Sequence, residues 1–476
     1  MVTHMRKTKI VCTLGPASEN EQVIESLFKS GMNVARLNFS HGTHEAHKKT
    51  IEIFRKVRDR LQLPAAVLLD TKGPEIRTGL VDNGEVVLKE GQMFRFVNRE
   101  VVGNSGFVSI TYAGLNKLVN NGNIIKVDDG SLILQVEEVN NDEITCRVLV
   151  GGILKNRKSI NVPGVHLDMP YLSEKDKADV LFAIENDVDY IAASFVRNKQ
   201  DVIDLRNFIN YHGGHKIKII SKIENSEGIN NFNEILAESN GIMVARGDMG
   251  VEVEYEKLPG LQKRFIKSCY GAGKIVITAT QMLESMIHSY NPTRAEITDV
   301  ANAVFDGTSA VMLSGETAMG DHPARVVEVM ANIVEQAEAD AISMNMFANR
   351  SFVNEKDTAN ALCDAACTTA KDLGAQAIIA VTKSGHSARR LSKFRPSEPI
   401  VAPTPELKTF HQLSLSWGVH PVLAISQKSE EKLFRHALDC AKQIDIVKKG
   451  DIVVILGGAP INVCGNTNMI KVITSD

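Results

Sequence analysis

The sequence predicts an α/β protein: a closed (β/α)8 barrel with a small β domain inserted into it and an open α/β domain at its end. Three observations lead there. Eight short apolar runs alternate with longer helical stretches, the pattern of parallel strands joined by helices. Between Asp70 and Asp189 that spacing breaks into alternating segments punctuated by Gly and Asn. After about Asn349 a further series of helices and apolar runs begins.

The eight runs are KIVCTLG from Lys9, NVARLNFS from Asn33, AAVLLDTKG from Ala65, DYIAASF from Asp189, IKIISKIEN from Ile217, GIMVARGD from Gly241, KIVITATQM from Lys274 and SAVMLSGET from Ser309. They finish in Arg36, Asp70, Lys222, Asp248, Thr280 or Ser314. A (β/α)8 barrel builds its site from the carboxyl ends of its strands, and a purely structural barrel has no reason to put charge there. The interruption contains EVVLKEGQMFRFV, NNGNIIKVDDGSLILQVEEV and EITCRVLVGGILKNRKSINV, read as short antiparallel strands after the third barrel strand. Pro163-Gly164 and Pro170 mark the return. The last unit reads as helix TANALCDAACTTAKDLG, then strands in IIAVT, PIVAPT, HPVLAI and DIVVILGG. Residues 1–71 and 169–348 are therefore assigned to the barrel, 72–168 to the inserted β domain and 349–476 to the C-terminal α/β domain.

The bulk numbers agree. A chain of 476 residues exceeds one hydrophobic core, so two to four domains are expected. Its 43% hydrophobic and 23% charged residues are those of an ordinary globular protein. A net charge of -3 with no clustered basic surplus argues against nucleic acid, and no apolar run reaches membrane-spanning length. The start lacks a signal peptide's apolar core; Met5-Arg6-Lys7 would serve as a natural start, leaving the first four residues as an expression remnant. Seven cysteines without a CxxC pair point to a reduced, cytoplasmic protein, with Cys363 and Cys367 as buried free thiols rather than metal ligands.

Two clusters carry chemistry. The first joins Ser221-Lys222-Ile223-Glu224-Asn225 to Ala245-Arg246-Gly247-Asp248-Met249-Gly250. Glu224 and Asp248 at adjacent strand ends make a sensible Mg²⁺ site, since magnesium takes one or two carboxylates and leaves its other positions to water and substrate. Lys222 shares a strand face with Glu224 and would neutralise a phosphoryl group in flight. Gly247 and Gly250 would let backbone amides approach an anion ahead of the next helix. The bland alternative is a buried Lys–Glu–Asp salt-bridge network.

The second cluster joins Arg36-Leu37-Asn38-Phe39-Ser40-His41-Gly42 to Asp70-Thr71-Lys72-Gly73-Pro74-Glu75-Ile76-Arg77. Arg36 and Arg77 offer guanidinium forks suited to phosphates. Asn38, Ser40, Asp70 and Thr71 offer hard oxygens with one formal charge, which suits a weakly held monovalent cation. A hydrogen-bonded strand-end network is the other reading.

ARLNFSHG, LLDTKGPEIRTG, SKIEN, ARGDMG, TATQMLESM and LSGETA occur in the order and spacing of the pyruvate kinase family, and the chain resembles its bacterial type from about Arg6 to the end. The resemblance implies transfer of a phosphoryl group from phosphoenolpyruvate to ADP, giving pyruvate and ATP. Arg36 and Lys222 would bind the phosphate, with Lys222 acting on the group being transferred. Glu224 and Asp248 would hold Mg²⁺ or Mn²⁺. Gly247 and Thr280 would receive the substrate carboxylate, and a water chain near Thr280 would protonate the enolate. Asn38, Ser40, Asp70 and Thr71 would bind K⁺. Asn38, Phe39, Ser40, His41, Arg77 and Lys158 would contact the nucleotide, Lys158 being preferred over its neighbour Lys155. Relatives with Glu at the position of Glu75 generally depend on K⁺, whereas Lys there supplies the charge itself. The likeness implies that the inserted domain is a small β-barrel lid that closes over the site, and it also implies a homotetramer.

In the C-terminal domain the turn Thr382-Lys383-Ser384-Gly385-His386-Ser387 resembles the family's effector loop, so a sugar phosphate or AMP is expected there. Arg389 and Arg390 stand one turn on, His386 stands where relatives often carry Arg, and Gly457–Pro460 with Gly465–Thr467 would close over the ligand. Three motifs are set aside: Gly271-Ala272-Gly273-Lys274 is an incomplete P-loop, His44-Glu45-Ala46-His47 falls short of a zinc motif, and Thr293-Arg294-Ala295-Glu296 is first a capping box. A Mg²⁺-dependent lyase or aldolase acting through a pyruvate enolate would share the metal site, but would need neither Arg77, nor the K⁺ ligands, nor a lid. A degenerate sugar-phosphate sensor would have no use for Arg36, Lys222, Glu224 and Asp248 together.

Overall fold

A computed structural model describes residues 6–344, 346–347, 357–460 and 466–476. The first four residues, the domain boundary at 348–349 and Gly465 lie outside that set.

All eight apolar runs are strands: β1 (Lys9–Thr13), β2 (Val34–Asn38), β3 (Ala66–Asp70), β4 (Tyr190–Ala193), β5 (Lys218–Ile223), β6 (Gly241–Ala245), β7 (Ile275–Ala279) and β8 (Ala310–Leu313). Neighbours pair in parallel, and β8 closes on β1 with Lys9 opposite Ala310. The strands are β-branched or aliphatic because both faces are buried, one in the barrel and one under helices. Helix His44–Arg60 buries Ile51, Phe54 and Val57, three residues apart on one stripe. Each such side chain contributes about 1.5–3 kcal/mol. Helix Arg294–Asp306 starts at the expected capping box of Thr293 and Glu296 and ends at Gly307, whose φ of 94° suits glycine.

The inserted segment forms a seven-stranded sheet from Ile76–Arg77 at one edge to Phe107–Ser109 at the other. Thr78 bridges Ile110 across those edges, so the sheet closes into a small barrel, as expected. One pair departs from the antiparallel reading: Met93–Val97 runs parallel to Phe107–Ser109, because residues 98–106 cross over the sheet end instead of turning tightly.

The C-terminal sheet has the order β11 (Val419–Leu423), β10 (Ile400–Thr404), β9 (Ala377–Ala380), β12 (Ile452–Gly457), β13 (Met469–Thr474). The last strand, antiparallel to β12, was not expected. MIKVIT lies at the sheet edge and is largely exposed, so it lacks the solid apolar run that marked the other four. This domain closes the barrel floor. Leu415 joins the apolar interior of the barrel, Tyr190 donates to the Gln412 carbonyl at 2.5 Å, and Trp417 lies between Arg395 and Lys7. Among the described residues no helix is long and apolar enough to cross a membrane.

Candidate active site

Lys222 stands at the centre of the barrel mouth. Its ammonium lies 2.8 Å from Glu224 Oε1, 3.2 Å from Asp70 Oδ1 and 2.8 Å from Ser194 Oγ. Burial works against its charge, but Asp70 and Glu224 outweigh that and raise its pKa. Asp70 also takes Arg36 Nε at 2.7 Å, and Arg36 Nη1 donates to Thr13 Oγ1 at 2.9 Å. Asp70 is held below the usual carboxylate range: burial would raise it, and Lys222 with Arg36 overcome that. Two fixed cations thus face one buried anion. Ser194 was missed in the sequence, although it follows β4 at the carboxyl end and so obeys the rule that selected Asp70.

Glu224 follows β5, and its Oε2 accepts from Phe195 N at 2.6 Å. Burial, opposed by Lys222 and reinforced by Asp248, moves its pKa up to about 7. Asp248 differs from expectation. β6 ends at Ala245, and Arg246–Glu252 is a short helix, so Asp248 and both Gly247 and Gly250 are helical rather than strand-end or pre-helix residues. Asp248 still turns its carboxyl to Glu224, within hydrogen-bond reach, and burial raises it too. A buried carboxyl facing a half-buried one calls for a proton or a cation between them, and this hard-oxygen pair fits Mg²⁺ or Mn²⁺.

Thr280 closes the far side. Gly247 N donates to its hydroxyl at 2.8 Å. Thr280 and Gln281 both have left-handed backbones, φ 68° and 53°. Arg246 spans this turn, donating to the Thr280 carbonyl at 2.5 Å and pairing with both oxygens of Asp299 at 2.6 and 2.7 Å. Ser314, at the end of β8, has a buried hydroxyl with no hydrogen-bond partner among the described residues.

Beside this, Asn38 lies opposite Asp70 in register, and its side chain accepts from Ser40 N at 3.1 Å. Thr71 Oγ1 accepts from Ser194 N at 3.2 Å. Asn38, Ser40, Asp70 and Thr71 therefore share one corner, an oxygen set that fits K⁺. The Phe39 ring is buried and stacked on His47 at 4.1 Å, which leaves only its backbone for a ligand. His47 meets the His41 carbonyl and His44 meets Asp179, so these histidines do not converge on a metal. Lys274 donates to Leu236 and Ala237 carbonyls, a strand-end anchor.

Between barrel and lid runs a solvent-open cleft of about 1820 Å³ lined by His41, Arg77, Lys158, Arg197 and Asp248 among others. Arg77 is paired with Glu75 and Lys158 with Asp128, each at 2.8 Å. Lys155 lies in the ladder with Glu85–Leu88, outside that lining.

Family models decide the kinship. The pyruvate kinase barrel-domain model matches residues 5–327, and the pyruvate kinase alpha/beta-domain model matches 360–473. The chain belongs to the pyruvate kinase family. A pyruvate kinase of Clostridium acetobutylicum is 45% identical over 98% of this chain and 99% of its own length. One of Staphylococcus haemolyticus is 48% identical, over 98% of this chain and 80% of its own. A crystal structure of a pyruvate kinase from Cryptosporidium parvum superposes with a TM-score of 0.92 at 40% identity, over 99% of this chain and 97% of that one. As a pyruvate kinase the chain is a phosphotransferase, and the lyase reading finds no support in these likenesses.

In this chain the turn expected to bind an effector borders a C-terminal cavity. Thr382, Lys383, Ser384, His386 and Ser387 line it together with Asn466 and Thr467, whose hydroxyl meets that of Ser387 at 2.7 Å. Gly385, with φ 80°, caps helix His386–Lys393. Arg389 and Arg390 are not in that lining: Arg389 donates to the Ser384 carbonyl, and Arg390 pairs with Asp357.

Proposed function

We propose that the chain transfers the phosphoryl group of phosphoenolpyruvate to ADP through the cluster centred on Lys222. The observation that carries this is Lys222 itself, one buried ammonium joined both to the Arg36–Asp70 pair and to Glu224 facing Asp248. Arg36 and Lys222 bind the phosphate. An oxygen of ADP attacks phosphorus, the bond to the enol oxygen breaks, and Lys222 neutralises the group in flight. Thr280 Oγ1 and Gly247 N, now bonded to each other, exchange that bond for the substrate carboxylate. Water near Thr280 delivers the proton to the methylene carbon, giving pyruvate.

Glu224 and Asp248 would hold Mg²⁺ or Mn²⁺, which supplies charge stabilisation to the phosphoryl and enolate oxygens. Asn38, Ser40, Asp70 and Thr71 would hold K⁺. Arg77 and Lys158 reach the nucleotide phosphates across the cleft, with Asn38, Ser40, His41 and the Phe39 backbone beside them. Closure of residues 72–168 over 1–71 and 169–348 excludes water. The unit 349–476 takes a sugar phosphate or AMP at Thr382–Ser387, an assignment supported by the hydroxyl-rich turn at a helix start. A homotetramer is part of the same reading, carried by the likeness to the pyruvate kinase family. A reduced cytoplasmic setting accords with the free cysteines of the described residues. The test is a coupled assay for pyruvate. Formation from phosphoenolpyruvate that requires ADP supports the reading, and ADP-independent release would favour lyase chemistry.

A further inference from the structure

An ammonium has three hydrogens and no acceptor, so the groups around it fix its direction. Lys222 has three partners: Glu224, Asp70 and Ser194. Two are carboxylates committed elsewhere, Glu224 to Phe195 N and Asp70 to Arg36. The third is a neutral hydroxyl. A charged donor is held less strongly by a neutral oxygen than by an anion, so this is the bond an arriving phosphoryl displaces at least cost.

Ser194 itself cannot drift. Its N donates to Thr71 Oγ1 at 3.2 Å, its carbonyl accepts from Tyr171 Oη at 3.1 Å, and its hydroxyl lies 2.7 Å from the Thr71 carbonyl. Asp70 Oδ1 also lies 3.1 Å from that hydroxyl, so its single hydrogen goes to Thr71 or to Asp70, and either way Ser194 Oγ keeps a lone pair for Lys222. Gly73 packs so close that a Cβ there would lie 2.7 Å from the Ser194 carbonyl oxygen. The next residue, Phe195, has φ 53° and sends its N–H to Glu224. One short segment therefore sets both Lys222 and Glu224.

We propose that Ser194 is a positioning residue for Lys222, the neutral acceptor that aims the ammonium at the transferring phosphoryl and releases it there. The inference rests on the assignment of Lys222 to that group. Steady-state kinetics of Ser194→Ala, Ser194→Thr, Lys222→Met and the Ser194→Ala/Lys222→Met double variant test it. Misaiming a reacting group by about 1 Å costs roughly 10²-fold, so Ser194→Ala should lower kcat by about 10–100-fold and leave KM for phosphoenolpyruvate nearly unchanged. Ser194→Thr, which keeps the hydroxyl, should recover most of the loss. In the Lys222→Met background Ser194→Ala should cost almost nothing, because its effect passes through the missing ammonium. Should the alanine variant melt early, Ser194→Cys, with its weak acceptor sulfur, carries the same comparison. An equal loss in both backgrounds, a loss confined to KM, or a wild-type kcat in Ser194→Ala would overturn the proposal. A near-wild-type Lys222→Met would instead show that the Lys222 assignment is at fault.

Discussion

Arg246 holds the Thr280 carbonyl at 2.5 Å, across a turn in which Thr280 and Gln281 are both left-handed. Non-glycine residues keep such backbones only where their surroundings impose them, at about 1–3 kcal/mol each. Asp299 fixes Arg246 in turn, with both carboxylate oxygens. Asp299→Ala should loosen the turn that presents the Thr280 hydroxyl and raise KM for phosphoenolpyruvate more than it lowers kcat. Steady-state kinetics check this, and unchanged constants would remove Arg246 from the positioning of Thr280.

A second expectation concerns pH and the barrel floor. Lys9 Nζ is buried and donates to the Val419 carbonyl at 2.8 Å. Burial lowers its pKa to about 7, Arg6 adding to that and Glu338 opposing it, while Lys7 and His420 lie close by. An unfolded lysine keeps its proton to about pH 10.4. Above pH 7 the unfolded chain therefore binds the extra proton, and stability due to Lys9 rises with pH up to that value. The Tm of the wild type should climb relative to Lys9→Met between about pH 7 and pH 9. Parallel melting curves for the two proteins would contradict it.

Most of the barrel was legible in the sequence because its strands are buried on both faces and read as solid apolar runs ending in charge. Arg36, Asp70, Lys222 and Glu224 were singled out for that reason, and the structure brings the four together. Asp248 was found but misplaced, since nothing in GIMVARGD says that the strand stops at Ala245 and a helix turns the carboxyl back. Ser194 was passed over because a small neutral residue between Ala193 and Phe195 carries no charge signal, and its role comes from Lys222 meeting it across strands. Strand β13 was lost because an exposed edge has no apolar pattern to read. Arg389 and Arg390 stand near the C-terminal turn in sequence but are absent from the cavity lining, Arg389 being spent on the Ser384 carbonyl and Arg390 on Asp357.

Glu75 pairs with Arg77 at 2.8 Å, and its charge reaches Asp248. A lysine at that position would replace that negative charge by a fixed cation and supply positive charge that K⁺ otherwise brings. The wild type should be strongly activated by K⁺, and Glu75→Lys should be partly independent of it. Titrating activity with K⁺ in a buffer of bulky organic cations checks both; full wild-type activity without K⁺ would refute the cation site.

The C-terminal cavity yields a further expectation. A phosphorylated sugar or AMP at Ser384 and its neighbours should raise apparent affinity for phosphoenolpyruvate by roughly 5–150-fold, a typical coupling of about 1–3 kcal/mol. Ser384→Asp, which places an anion in the turn, should abolish the response. Saturation curves with fructose 1,6-bisphosphate, ribose 5-phosphate, glucose 6-phosphate and AMP measure it, and an equal response in Ser384→Asp would place the effector elsewhere.

The central claim is that one ammonium, bridging the Arg36–Asp70 and Glu224–Asp248 groups, neutralises the phosphoryl in transit. Its direct test is kcat for pyruvate formation from phosphoenolpyruvate and ADP by Lys222→Met. Loss of one preorganised donor should lower kcat by about 10²–10³-fold, while KM for phosphoenolpyruvate moves little because Arg36 and the carboxylate pair remain. A variant that kept more than about a tenth of the wild-type kcat would contradict the claim, since so small a loss leaves no transition-state role for Lys222.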